Sequence, residues 1–165
     1  MTLPTELTLP GPAVVLRRAT ADDVGAVVRL LADDHLGAGR ERLEGDDDLA
    51  VYLDAFAAVD ADPAQTLVVA ERDGEVVATL QLGVLPGLSR RGARRAQVEA
   101  VRVREDLRGS GLGTAMLRWV VVEARDRGCA VVQLTTDASR TDAHRFYERL
   151  GFVATHRGYK LPISG

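Results

Sequence analysis

The run Arg108-Gly109-Ser110-Gly111-Leu112-Gly113-Thr114 joins a strand-like segment to a long helical one, and its residue types can do chemistry at that junction. Glycine lets the backbone fold tightly and turn its N–H groups outward. At a helix start those donors add to the positive end of the macrodipole, which makes an anion site suited to a pyrophosphate. Arg108 adds a guanidinium that matches phosphate oxygens. A dinucleotide fingerprint would need glycine where Thr114 stands, and it belongs at the first strand of a repeated βαβ unit. A nucleotide P-loop would end in Gly-Lys-Ser/Thr, and no lysine is present here.

The elements that must position this loop follow from hydrophobic periodicity. Val14 to Arg18 is a short β-branched run. Thr20 caps a helix whose positive end Asp22 and Asp23 suit, with Val24, Val27, Val28 and Leu31 on one stripe. Asp33 to Asp48 reads as a polar loop, and Leu49, Leu53, Phe56 and Ala57 as the face of a second helix stopped near Asp62-Pro63. Thr66 to Glu71 and Glu75 to Leu85 are strands joined by Asp73-Gly74, a strong hairpin signal. Pro86 to Arg95 is a loop with four arginines, Arg90, Arg91, Arg94 and Arg95. In the next strand, Ala96 to Val103, positions Ala96, Val98 and Ala100 are small or apolar, and Gln97 and Glu99 share the other face with Val101 and Val103. Leu112 to Arg127 is a helix ended by Gly128, Ala130 to Thr135 a strand, Asp142 to Leu150 a helix ended by Gly151, and Phe152 to His156 a last strand. The order implies a mixed α/β fold with helices on the faces of one sheet.

At 165 residues the chain has the length of one domain, read as 13–165, with residues 1–12 as a flexible leader rich in proline. It is 46% hydrophobic and 27% charged, a globular balance, and no run of about 18 apolar residues exists to span a bilayer. Twenty-four acidic against 21 basic residues give a net charge of −3, which offers no electrostatic case for nucleic acid or a membrane surface. The leader lacks a secretory pattern, and the single Cys129 fits a reducing cytoplasm. With one cysteine and three histidines, no metal site is expected.

Arg108-x-x-Gly111-x-Gly113 after Val101-x-Val103 resembles the coenzyme A pyrophosphate loop of the GNAT acyl-CoA N-acyltransferase superfamily. Ala143-His-Arg-Phe146-Tyr147-Glu-Arg-Leu-Gly151-Phe152 is similar to that superfamily's helix-to-strand motif near the C-terminus. The resemblance implies a GNAT fold, with a central mixed sheet of six to seven strands, splayed between the fourth and fifth, and about four flanking helices. It implies an N-acetyltransferase that moves an acetyl group from acetyl-CoA to a primary amine of a small molecule in a ternary complex. Two alternatives keep the fold: acetylation of a protein or peptide amine, and a non-catalytic acyl-CoA sensor. Relatives often dimerise, so a homodimer is compatible with it.

The resemblance also implies roles for particular residues. Acetyl-CoA is held by Arg108, Gly109, Ser110, Gly111, Leu112, Gly113 and Thr114, and along Val101, Arg102 and Val103, whose backbone pairs with the pantetheine arm. Tyr147 is similar to the tyrosine beside the thioester sulfur, as general acid or hydrogen-bond donor; the other reading makes it a core residue beside Phe146. Glu99 is either a base acting through water or an anchor for the ammonium, or it is salt-bridged to Arg94 or Arg95. His35, with Asp33 and Asp34, borders the acceptor pocket or is simply solvated. Many members carry asparagine where this chain has Arg140, which either reaches a coenzyme phosphate or lies at the surface. The segment Arg140 to Tyr147 resembles a branch that includes aminoalkylphosphonate N-acetyltransferases, and the arginine loop Arg90 to Arg95 either favours an anionic acceptor or is solvated.

Overall fold

A computed structural model describes residues 3–33, 37, 39–41 and 43–163 of the chain. Its contacts group into two compact units, residues 1–133 and 134–165, where the sequence suggested one domain from residue 13.

The first unit is built on a six-stranded sheet in the order β1-β2-β3-β4-β5-β6. These strands are Thr5–Leu7, Val14–Arg18, Gln65–Arg72, Glu75–Leu85, Arg94–Val103 and Cys129–Leu134. The first four pairings, β1 through β5, are antiparallel. Strand β1 lies inside the stretch expected to be a leader: Leu7 is buried and pairs with Val14, so its one large apolar side chain has a place in the core. The β3–β4 hairpin turns at Asp73 and Gly74, both at positive φ (53° and 79°), which is the backbone that a two-residue primed turn requires. Arg94 Nη1 donates to the Arg127 carbonyl at 3.3 Å, and Gln133 Nε2 donates to Gln97 Oε1 at 2.7 Å. Strands β5 and β6 therefore begin at the same edge and run the same way, joined by a helical crossover.

Both faces of the sheet are covered, which is why β4 reads as an almost continuous apolar run from Val76 to Leu82. On one face, Val68, Leu80, Leu82 and Val98 are buried together with Met116, Leu117, Trp119 and Val120 of α3 (Leu112–Asp126). The Arg127 guanidinium at the end of α3 reaches Thr66 Oγ1 on that face at 3.2 Å. The other face packs Ala19 and Val69 against Val27 of α1 (Val24–Ala32), with Phe56 of α2 (Asp46–Ala61) and Leu31, Leu67 and Val76 around them. Ala57, expected on the α2 face, is exposed; Leu49, Tyr52, Leu53, Phe56 and Val59 form the inward stripe instead. Among the described residues, no helix is long and apolar enough to cross a membrane.

The arginine loop contains one tight turn, Ser89–Gly92, in which Arg90 and Arg91 wind left-handed (φ 52° and 62°). In the second unit, α4 (Thr141–Arg149) is the only helix among the described residues, and the expected strand from Phe152 to His156 is absent. Residues 153–163 are exposed and make no ladder, and an extended segment without a partner has nothing to satisfy its backbone groups except water.

Candidate active site

The chemistry suggested for β5 depends on which face each side chain takes, and that is decided at one residue. Gln81 pairs with Glu99, but Thr79 pairs with Arg102, so Ala100 and Val101 together stand opposite the single residue Leu80. This is a β-bulge, and Ala100 adopts the left-handed conformation in it (φ 54°). An extra residue reverses the alternation. Val103 falls on the face of Val98 and the α3 core, while Arg102, not Val103, shares the face of Glu99 and Gln97. The face expected from strict alternation is corrected accordingly. Beyond the bulge, Val101, Arg102 and Val103 are only half-buried, in contrast to the fully buried Ala96 and Val98. Bulges break a ladder locally and turn backbone groups away from their usual partners, which gives a bound extended chain something to pair with.

Immediately after β5 the chain is pinned. The Arg104 N–H continues the ladder to Val77 O at 2.9 Å, and its guanidinium bridges Glu75 at 2.9 Å and Asp106 at 2.7 Å. Those bonds raise the pKa of Arg104 and, through the Arg104 guanidinium, hold the Asp106 carboxyl below its ordinary range. A short turn, Glu105–Leu107, leads to Arg108 and the glycines. Gly109 and Gly111 sit at φ 82° and 92°, a conformation that costs an L-residue about 1–2 kcal/mol. The first helical bond of α3 runs from the Ala115 N–H to the Gly111 carbonyl at 3.0 Å, so the N–H groups before it have no partner within the helix. Leu112 N–H makes a long contact of 3.4 Å to Ser110 Oγ, whose hydroxyl in turn donates to the Leu107 carbonyl at 2.7 Å. The N–H groups of Gly109, Gly111, Gly113 and Thr114 meet no protein acceptor among the described residues. No atom lies within 4 Å of where a Cβ on Gly109 would stand. Four outward donors at a helix start form a cradle that fits a diphosphate.

Arg108 is already engaged. Its Nε donates to the Val103 carbonyl at 3.2 Å, and its Nη2 to the carbonyl and the carboxylate of Asp33 at 3.0 and 3.1 Å. The loop is thereby tied to the end of α1. Leu9, from the expected leader, lies against it as well, its Cδ2 3.7 Å from the Cβ position of Gly111. Neither contact was legible in the sequence: Arg108 and Asp33 are 75 residues apart and Leu9 lies further still from Gly111, with no local signal.

The Glu99 side chain is exposed and, among the described residues, has neither a hydrogen bond nor an ion pair, so the salt bridge to Arg94 or Arg95 is not formed. His35 and Asp34 lie outside the described residues. Burial pushes the Cys129 thiol up, away from the thiolate that a nucleophile needs. Among the described residues no cluster of His, Cys, Asp and Glu could hold a metal ion.

In the second unit, Arg140 stands at the N-cap of α4 and its carbonyl accepts from the His144 N–H at 3.1 Å. The half-buried Tyr147 sits near the other end. The N–H of Gly151 bonds to Glu148 O at 2.9 Å and that of Phe152 to Tyr147 O at 3.1 Å, with Gly151 at φ 90°. This paired capping motif brings the Phe152 ring edge-on to Tyr147, centroids 5.8 Å apart, with Phe146 at 5.2 Å on another side. The ring is thus steered by aromatic neighbours on both sides of it in sequence.

The sequence of residues 26–152 matches the model of the acetyltransferase (GNAT) family, a span that runs from α1 through the bulge and the glycine cradle to the cap of α4. The chain belongs to the GNAT acetyltransferase family. This GNAT protein is 32% identical over 145 residues to an aminoalkylphosphonate N-acetyltransferase of Salmonella typhimurium, covering 88% of each chain. It is 34% identical over 90 residues to a glucosamine 6-phosphate N-acetyltransferase of Trypanosoma brucei brucei, covering 54% of this chain and 59% of that one. Among solved structures, one described as a transcriptional regulator from Bacillus halodurans is 42% identical and superposes with a TM-score of 0.86, over 91% of this chain and 99% of the other. The GNAT protein is therefore an acyltransferase of mixed α/β fold, and acetyl-CoA is the co-substrate of its family.

Proposed function

We propose that the protein transfers an acetyl group directly from acetyl-CoA to the primary amine of a small, oxyanion-bearing molecule in the cytoplasm, both substrates being bound at once. The observation that carries this reading is the set of unclaimed N–H groups on Gly109, Gly111, Gly113 and Thr114 just beyond the β5 bulge. Those donors and the α3 dipole hold the diphosphate, with Arg108 and, from the second unit, Arg140 adding guanidinium contacts. The backbone of Val101, Arg102 and Val103 pairs with the pantetheine arm. The backbone N–H near Val101, at the bulge, donates to the thioester oxygen as negative charge develops on it.

Glu99, wet and unpaired, first attracts the substrate ammonium and then takes its proton through water, which leaves the amine lone pair to attack the thioester carbonyl. The new N–C bond forms, the C–S bond breaks, the Tyr147 phenol gives its proton to the departing thiolate, and the second proton shed by the acylated nitrogen returns through water to the phenolate. The names of the two curated relatives, one acting on aminoalkylphosphonates and one on a sugar phosphate, support an acceptor that carries a phosphorus oxyanion.

Acetyl-CoA raises the melting temperature, because a ligand that binds only the native state stabilises it by mass action. Arg108→Glu removes most of that shift; a shift of wild-type size in the variant would place the coenzyme elsewhere. Glu99→Gln lowers kcat at least tenfold for an amine supplied near neutral pH, whereas retention of full kcat would leave water alone as the base.

A further inference from the structure

The face of the sheet that bears Glu99 changes character along its length. Leu67 and Val69 of β3 lie on it under α1 and α2 and are apolar. The amide of Gln81 stands beside Leu67 in its own row, and one row further on the side chains flanking Gly83 are both amides. Gln65 of β3 and Gln97 of β5 both stand opposite Gly83 of β4, Gln81 stands opposite Glu99, and Gln133 of β6 reaches Gln97. Four neighbouring strands thus each supply one half-buried glutamine to the same face.

These amides are only partly used by the protein. Gln81 Nε2 donates to Gln65 Oε1 at 3.0 Å, and Gln133 Nε2 donates to Gln97 Oε1 at 2.7 Å. Among the described residues each glutamine side chain makes this one hydrogen bond, although a carboxamide offers two donors and an acceptor with two lone pairs. The Nε2 groups of Gln65 and Gln97, on either side of Gly83, keep both of their N–H donors. Gly83 is what makes room between them: a Cβ there would stand 3.0 Å from both Nε2 and Oε1 of Gln65. Glycine inside a strand costs about 0.5–1 kcal/mol and marks a place where something approaches the backbone closely. Half-buried amides with spare donors are also an expensive way to cover a face that is apolar at Leu67 and Val69.

We infer that this amide row is the acceptor's second anchoring point, resting on the acyl-transfer reading above. The spare N–H groups of Gln65 and Gln97 receive an oxygen of the amine substrate, a hydroxyl or an anionic oxygen. Because Gln97 lies two residues from Glu99 on one face of β5, that oxygen sits about 7 Å from the nitrogen that is acetylated. Arg95, exposed and two residues further along the same face, selects for the anionic form.

The test compares aminopentanol, aminobutylphosphonate and hexylamine, primary amines of similar length, on the full chain with acetyl-CoA. Gln97→Leu raises KM for the alcohol and the phosphonate about tenfold relative to hexylamine, as expected for a lost hydrogen bond in a partly buried site, with kcat far less affected. Gly83→Ala, which pushes the Gln65 carboxamide aside without removing any amide, moves the same ratio in the same direction. Arg95→Ala raises KM for the phosphonate alone, which separates the anionic from the hydroxyl form. The acetyl-CoA melting shift of each variant, equal to that of the wild type, shows that fold and coenzyme site are intact. If that shift is intact and the KM ratios in Gln97→Leu and Gly83→Ala stay at wild-type values, the amide row is not an acceptor subsite. A wild-type protein with no acetyl-CoA shift at all overturns the acyl-transfer reading, and this subsite with it.

Discussion

Arg17 grips Asp23 with two hydrogen bonds, at 2.7 and 2.9 Å, while its Nε binds Glu71 at 2.8 Å. Asp23 is 7% exposed and also accepts from the Thr20 backbone N–H at 2.7 Å, closing the start of α1. The guanidinium, chiefly, holds the Asp23 carboxyl below its ordinary value of 3.8. Its contribution to stability is therefore fully present above about pH 4 and is lost as the pH falls through the lower folded value. Asp23→Asn should cost about 1.5–3 kcal/mol near neutrality, since it removes the charge-assisted hydrogen bonds of a buried carboxylate while Arg17 keeps Glu71, and should flatten the acid limb of a melting-temperature profile. A profile of the same slope in wild type and variant would show that another carboxylate controls acid unfolding. The sequence made Asp23 legible as a helix-start acid, but not Arg17 as its partner, because strand residues carry no signal of which helix they will face. Glu99 is a similar case. Its presence on β5 could be read, whereas its companions on that face could not, since Ala100 does not advertise a bulge in the way a glycine would.

The bulge itself is the element whose behaviour is most open to measurement. A left-handed alanine stores about 1–2 kcal/mol of strain, and a β-branched residue fits that conformation far worse. Ala100→Gly should leave the melting temperature unchanged or slightly higher, and Ala100→Val should lower it by several degrees, as followed by calorimetry. Equal melting temperatures for the two would mean that β5 slides into a regular register when strained. Most elements were legible to within a residue or two: Val14–Arg18 and Glu75–Leu85 agree at both ends, and the Asp73-Gly74 turn and the glycine stops at Gly128 and Gly151 hold. These are local signals, a turn chemistry or a periodicity. What failed was pairing, which is non-local. Thr5–Leu7 gained a strand because β2 offered an edge, whereas the apolar residues of 152–156 form no ladder.

At the scale of the molecule, the first unit carries the buried strands β3, β4 and β5, whereas α4 in the second is nine residues long and has no buried residue of its own. Helices this short are marginal without packing, so amides of α4 should exchange with solvent orders of magnitude faster than those of Val77 to Leu82. If Tyr147 acts on the thiolate as proposed, acetyl-CoA should slow exchange across α4 as well as at the glycine cradle. Protection confined to the cradle would remove Tyr147 from the reaction. A last consequence comes from the 3.1 Å bond between Arg108 and Asp33. Because that guanidinium already serves a carboxylate 75 residues away, a diphosphate arriving at the cradle must displace a native rival before it gains the contact. Such a solvent-exposed pair is worth up to about 1 kcal/mol, so Asp33→Asn should tighten coenzyme uptake by as much as about fivefold, and loading should unlatch the tail of α1 from the mouth of α3.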